Sequence, residues 1–214
     1  MDAKILREIV VKNLWLFFKI PFLACFGILA IAALLFPTAG LSAREACKPI
    51  EMLLPFVGVV TFVPVFLPEQ DMSIYDTVAC RRISPATIYL IRLILAVILE
   101  TGFVAVYCLW MKRNECDITL YMVWGGMASG FFMGSIGFFA AGITGNVLNG
   151  FLTSMIYYIC NYGLKSKLGV FYLFRMSAGI PEGKIWLLAA GLLLLSLTFL
   201  RFSLHKFSVV SHRR

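Results

Sequence analysis

Apolar runs of about 20 residues recur along this chain, and a run of that length crosses a bilayer as an α-helix. In hydrocarbon every backbone N–H and C=O must find its partner inside the protein, so only helices and closed barrels span. The alternation of a barrel strand is missing from these runs. The expected fold is therefore an all-α membrane protein, a single transmembrane domain over residues 1–214. Composition agrees. The chain is 61% hydrophobic and 14% charged, where soluble domains carry roughly 45–50% and 25%.

Six runs are read as transmembrane helices, at about residues 17–36, 50–67, 85–111, 119–143, 147–164 and 184–204. Pro37 and Pro68 end the first two. Pro55 and Pro64 fall inside the second and each removes a backbone hydrogen bond, so that span is expected to kink. Residues 1–16 read as an interfacial helix, with Ile5, Ile9, Val10 and Leu14 set against Lys4, Arg7, Glu8 and Lys12. Residues 38–49 are taken as a loop. Between the fifth and sixth spans, LGVFYLF is apolar but too short to cross, and is expected to form a re-entrant or interfacial piece.

The longest polar interruption runs from Leu67 to Arg92. Pro68 stops a span. Ser73 and Asp76 resemble a capping box, with Asp in place of Glu. A short helix from Ser73 to Arg82 would put Ile74 and Val78 on one face and Arg81 and Arg82 in its last turn, where the helix dipole favours cations. Ser84 and Pro85 then restart the chain as N-cap and first helical residue. The expected coupling loop covers residues 68–84, and Glu69, Asp71, Asp76, Arg81 and Arg82 give it its charge.

Two features lie within the apolar runs. Glu100 sits near the middle of the third span, where a charged side chain costs roughly 2.5–3.5 kcal/mol on insertion scales. It must be neutral, paired or facing a wet cavity, and both a functional and a purely structural role stay open. Gly126, Gly130, Gly134, Gly137, Ala141 and Gly145 share one face of the fourth span. Such a small-residue ridge lets helix backbones approach closely, within one protomer or between two.

An even number of spans places both termini on one side. The cytoplasmic side is preferred because the first positive segment, Lys4 to Lys19, often sets orientation. The cations from Lys165 to Lys184 run against that rule. A net charge of +8 is spread over loops and termini, which suits anionic lipid rather than nucleic acid. No phosphate loop, HExxH or GxSxG occurs, so no catalytic, cofactor-binding or metal-ligating residue is assigned in this chain. His205 and His212 lack ligand partners nearby in sequence. No CxxC pair is present. Cys47 and Cys116 both fall in outer loops, where they form either a disulfide or free thiols.

The stretch PEQD…IYD…R…SP…YLIR, residues 68–92, set among six spans behind an interfacial helix, resembles the bacterial type-2 ABC-transporter permeases. The resemblance covers about an eighth of the chain in sequence; the rest matches in topology only. It implies a permease of the bacterial plasma membrane without its own ATPase domain, paired with a second copy or a paralogue. ATP and magnesium would sit on a cytoplasmic ATPase subunit. The loop between spans 2 and 3 would be the coupling helix, with Glu69, Asp71, Ser73, Ile74, Asp76, Val78, Arg81 and Arg82 against that subunit. The cargo would be a peptide, an antibiotic or another amphiphile. The alternatives are an ATPase-independent secondary transporter or channel, and a non-transporting immunity protein. The internal repeats common in secondary transporters are not visible.

Overall fold

A computed structural model describes residues 19–37, 39–70, 85–179 and 183–211. The expected interfacial helix over 1–16 lies outside them, as do all the coupling residues except Glu69. Among the described residues every regular element is helical. In chain order these are α1 (Lys19–Leu35), α2 (Ala43–Met52), α3 (Pro55–Phe62), a 3₁₀ helix (Val63–Gln70), α4 (Pro85–Arg113), α5 (Leu120–Thr144), α6 (Val147–Leu164), a second 3₁₀ helix (Lys165–Phe171) and α7 (Lys184–Ser211).

Among the described residues, four helical stretches are long and apolar enough to cross a membrane: Ala43–Pro68, Thr87–Arg113, Leu120–Thr144 and Lys184–Phe202. Helix α1 is apolar but has 17 residues. Helix α6 has 18, interrupted by Asn149, Asn161 and three tyrosines. Large apolar side chains face outward on several helices, among them Ile20, Leu23 and Leu34 on α1, Ile98 and Leu109 on α4, and Ile156 and Ile159 on α6. Exposed apolar surface on this scale is compatible with a protein embedded in a membrane.

The second span begins earlier than its composition suggests. Part of the expected loop over 38–49 is helix α2, entered at Ser42, whose Oγ bonds Glu45 Oε2 at 2.8 Å. The helix is amphipathic: Ala46, Cys47, Ile50 and Glu51 are buried while Arg44, Glu45 and Lys48 are exposed. It breaks between Met52 and Pro55 because Pro55 has no N–H to donate. Phe56 N then bonds Leu53 O instead of Met52 O. The Met52 carbonyl accepts from Tyr158 Oη at 3.0 Å, which ties the kink to α6. Near Pro64 the helix tightens from α to 3₁₀.

Helix α5 is the hub of the bundle, with α2, α3, α4, α6, α7 and the first 3₁₀ helix all packed on it. Its small-residue face explains how so many neighbours fit. A Cβ at Gly58 of α3 would collide with the Gly130 backbone, and one at Gly134 would lie 2.6 Å from Gly58 O. Gly126 faces Ile50, while Gly137 faces Val63 and Ser154. Within the chain, the ridge is thus covered by α2, α3 and α6. Gly145 leaves that face. It caps α5 with φ 67°, its N–H bonding Ala141 O at 2.9 Å, a left-handed conformation that glycine adopts without penalty. Asn146 starts α6 at once, its Oδ1 accepting from Leu148 N at 2.9 Å.

The helices run up and down, so the connections gather at two ends. At one end Gly40 N bonds Asn114 O (3.0 Å) and Asp117 N bonds Leu41 O (3.1 Å). At the other, the rings of Phe66, Tyr89 and Phe202 cluster with centroids 5.0–5.9 Å apart, and Arg92 Nη1 donates to Val65 O at 3.0 Å. The buried core fills the space between, from Val59 and Phe62 to Phe132, Phe138 and Leu187.

Candidate functional site

At the end that carries residues 36–43 and 113–120, the segment Tyr172–Gly179 folds into the bundle without forming a regular helix. Leu173, Phe174 and Met176 are buried. Irregular backbone is tolerated at membrane depth only where protein groups satisfy it. Side chains from three helices do so here. Glu51 of α2 accepts Met176 N on Oε1 (2.9 Å) and Ser177 N on Oε2 (2.8 Å). Asn161 of α6 accepts Leu173 N on Oδ1 (2.7 Å) and donates to Tyr157 O (2.9 Å). Tyr157 Oη donates to Phe171 O (2.5 Å) and Arg44 Nε to Ser177 O (3.0 Å).

Lys184 closes the network. It is the first residue of α7, and its side chain points into the bundle, 1% exposed. Its ammonium donates to Glu51 Oε1 (2.8 Å), Ser129 Oγ (2.8 Å) and Leu173 O (2.6 Å). An ammonium has three donors, and each has an acceptor. Ser129 passes its own hydrogen to Gly125 O (2.8 Å). The ion pair therefore sits in a closed shell of hydrogen bonds, the condition under which a buried pair offsets its desolvation. The bonds of Glu51 and Lys184 each join one element to another, so the network positions the Tyr172–Gly179 segment.

Two grooves flank this segment. One, of about 530 Å³, lies between α2 and the start of α5 and is bordered by Arg44, Cys47, Tyr121 and Met176. The other, of about 480 Å³, lies between α2 and the end of α6 and is bordered by Lys48, Met52, Tyr162, Lys165, Tyr172 and Phe174.

Glu100 is placed differently. It lies mid-way along α4, 1% exposed, with Oε1 against Gly130 of α5. A Cβ at position 130 would come 2.5 Å from that oxygen, so the glycine makes room for the carboxyl. Cys25 of α1 lies close enough to interact with it electrostatically. Neither oxygen forms a hydrogen bond among the described residues; the Phe131 amide lies nearby without meeting hydrogen-bond geometry.

Glu69 falls in the last turn of the first 3₁₀ helix. Asp71, Ser73, Ile74, Asp76, Val78, Arg81 and Arg82 lie outside the described residues. The disulfide considered for Cys47 and Cys116 is not formed. Both lie in one buried cluster with Cys108 and Met111. Among the described residues no group of three His, Cys, Asp or Glu side chains gathers as a metal site.

Glu51, Lys184 and Ser129 were not singled out by sequence reasoning. Two signals could have found them. Ser42 and Glu45 have the spacing of a capping box before an apolar run, which starts a helix ahead of the second span and sets Glu51 within it rather than at its edge. Lys184 opens another apolar run, a charge opposite in sign to Glu51 at the start of the second span. No family model, curated protein or solved structure matches this chain.

Proposed function

We propose that the chain is the membrane-spanning permease subunit of an ATP-driven exporter, worked by a separate cytoplasmic ATPase that holds ATP and magnesium. In this reading α1 and α6 complete a set of six spans in the plasma membrane with both termini inside, and a second copy or a paralogue completes the pathway. The cargo is a peptide, an antibiotic or another amphiphile.

The observation that supports it best is the contrast between the two ends of the bundle. One end holds the apolar segment Tyr172–Gly179, pinned by a saturated ion pair. At the other, Gln70 and Pro85 bracket the charged stretch, beside the Phe66–Tyr89–Phe202 rings. Between them, the glycine contacts of α3 and α5 make a tightly packed rod. A push delivered at the charged end is carried by stiff, close-packed helices rather than dissipated in a loop. Glu69, Asp71, Ser73, Ile74, Asp76, Val78, Arg81 and Arg82 are the groups proposed to receive it.

The test is capture of the chain from native membranes, followed by identification of soluble proteins held with it. The expected companion carries a Walker nucleotide-binding motif. Asp76→Arg combined with Arg81→Glu should lower its recovery on the order of tenfold, as loss of docking charges does, with the permease still in the membrane. Undiminished recovery with both reversals in place would overturn the assignment.

Glu100 favours a second reading, an ATPase-independent transporter, because a buried carboxyl without a partner is a default candidate for ion or proton coupling. Transport that survives ATP depletion but stops when the ion gradient is collapsed would favour that reading.

A further inference from the structure

In the orientation proposed above, the cations near Lys165 oppose the usual charge bias of membrane proteins, and a groove bordered by Lys165 gives a physical reason for them. We propose that the groove of about 480 Å³ between α2 and the end of α6 binds an anionic phospholipid, its phosphate held by Lys48 and Lys165.

Charge, wall and depth carry the argument. Lys48 and Lys165 border the groove from α2 and the α6 C-cap, and both are exposed. The elements that form the groove carry two carboxylates, and each is already engaged: Glu51 with Lys184, Glu45 with Ser42. Glu45 still lies within Coulombic reach of Lys48, whereas α6 and the second 3₁₀ helix, which carry Lys165, hold no acid. Behind them the wall is apolar and aromatic. Phe174 stacks edge-on with Tyr158, Tyr162 and Tyr172 at 5.6–6.0 Å, and Met52 completes the surface. A cationic rim over an aromatic wall suits a molecule with a phosphate at one end and hydrocarbon at the other. Tyrosines gather at the depth where headgroups meet acyl chains, and Tyr157, Tyr158, Tyr162 and Tyr172 mark that depth here.

The backbone adds a further point. Lys165 has φ 49° and ψ −132° and is one of two described residues other than glycine with positive φ. Such a conformation is strained in a bulky residue and tends to persist at binding sites. Glycine or asparagine would adopt it more easily. A lysine there keeps its charge at the groove.

Native mass spectrometry of the full chain in detergent, with equal phosphatidylglycerol and phosphatidylcholine added, tests the site. Phosphatidylglycerol should be retained over phosphatidylcholine on the order of tenfold, the scale expected of two cations at a membrane surface. Lys48→Gln with Lys165→Asn should abolish that preference. Both positions are exposed, and asparagine accepts positive φ, so the fold should be kept. Lys167→Gln removes a charge that does not border the groove and should leave the preference within about twofold. Glycerol 3-phosphate at the same concentration should not displace the lipid. An unchanged preference in the double variant, an equal loss in Lys167→Gln, or displacement by glycerol phosphate would each overturn the proposal. The measurement needs neither ATP nor a partner subunit, so it can fail while the exporter reading stands, and the reverse.

Discussion

Glu51 and Glu100 are the same residue type, each at most 1% exposed, and their surroundings are opposite. Glu51 meets an ammonium and two backbone N–H groups, with contacts of 2.8–2.9 Å. Glu100 meets Gly130, and neither of its oxygens has a hydrogen bond among the described residues. A paired, saturated carboxylate fixes structure, because every bond it makes ties one element to another. An unpaired one ties nothing down. Burial of a charge-bearing group therefore does not by itself tell an anchor from a functional group; its partners do.

The largest expected effect comes from removing the cation. Lys184→Met should destabilise the protein by about 3–5 kcal/mol, because it strands the Glu51 charge in the interior. It also leaves Leu173 O without its ammonium donor. Glu51→Gln in the Lys184→Met background should recover part of that loss, since an amide oxygen still accepts from the Met176–Ser177 backbone while the charge is gone. Thermal unfolding in detergent would measure both variants. A Lys184→Met protein as stable as wild type would remove the distinction between the two glutamates.

Asn161→Ala should rank next. It strips the acceptor from the buried Leu173 N–H, and an unsatisfied buried donor costs about 1–3 kcal/mol. Hydrogen exchange would sharpen the comparison by showing where the loss falls. Faster exchange confined to amides of the Tyr172–Gly179 segment would mean that the anchors act locally. Uniform acceleration would mean that the segment stabilises the whole bundle.

These anchors were the least legible part of the sequence, and the reason is geometric. Helices follow from local signals: Thr119 and Leu120 open α5, Gly145 ends it and Asn146 starts α6, each readable within a few residues. Glu100 was legible because it stands alone in hydrocarbon. Glu51 sits one turn from the exposed Lys48 and looks like the edge of a loop, until the helix that starts at Ala43 sets it in the interior of the stretch. Its partner comes from the start of α7, and no local spacing links the two. The small-residue ridge was visible as a pattern, but its cover was not, since Gly58 of α3 is an isolated glycine between two prolines. LGVFYLF, expected as a re-entrant or interfacial piece, covers the last four residues of the second 3₁₀ helix and the first three of the Tyr172–Gly179 segment. That this segment is irregular backbone held by side chains depends on Glu51, Asn161 and Lys184, which only the folded chain brings together.

Glu100 should give the smallest change in stability and the most informative change in behaviour. Methionine matches its length and needs no hydrogen bond. Glu100→Met should therefore leave stability unchanged or raise it by about 1 kcal/mol, the penalty of the unsatisfied carboxyl having been removed. A loss comparable to that of Lys184→Met would mean that the carboxyl has a structural partner after all, and the two glutamates would no longer differ in kind. Glu100→Gln separates the functional readings. It keeps the shape and removes the ability to carry charge. An exporter driven by ATP needs no titrating group in α4, so its export should continue in that variant. A transporter that couples to protons through Glu100 should stop, while the protein stays folded in the membrane. Transport by wild type and Glu100→Gln in the same vesicles, with ATP and without, would decide between the two proposed readings.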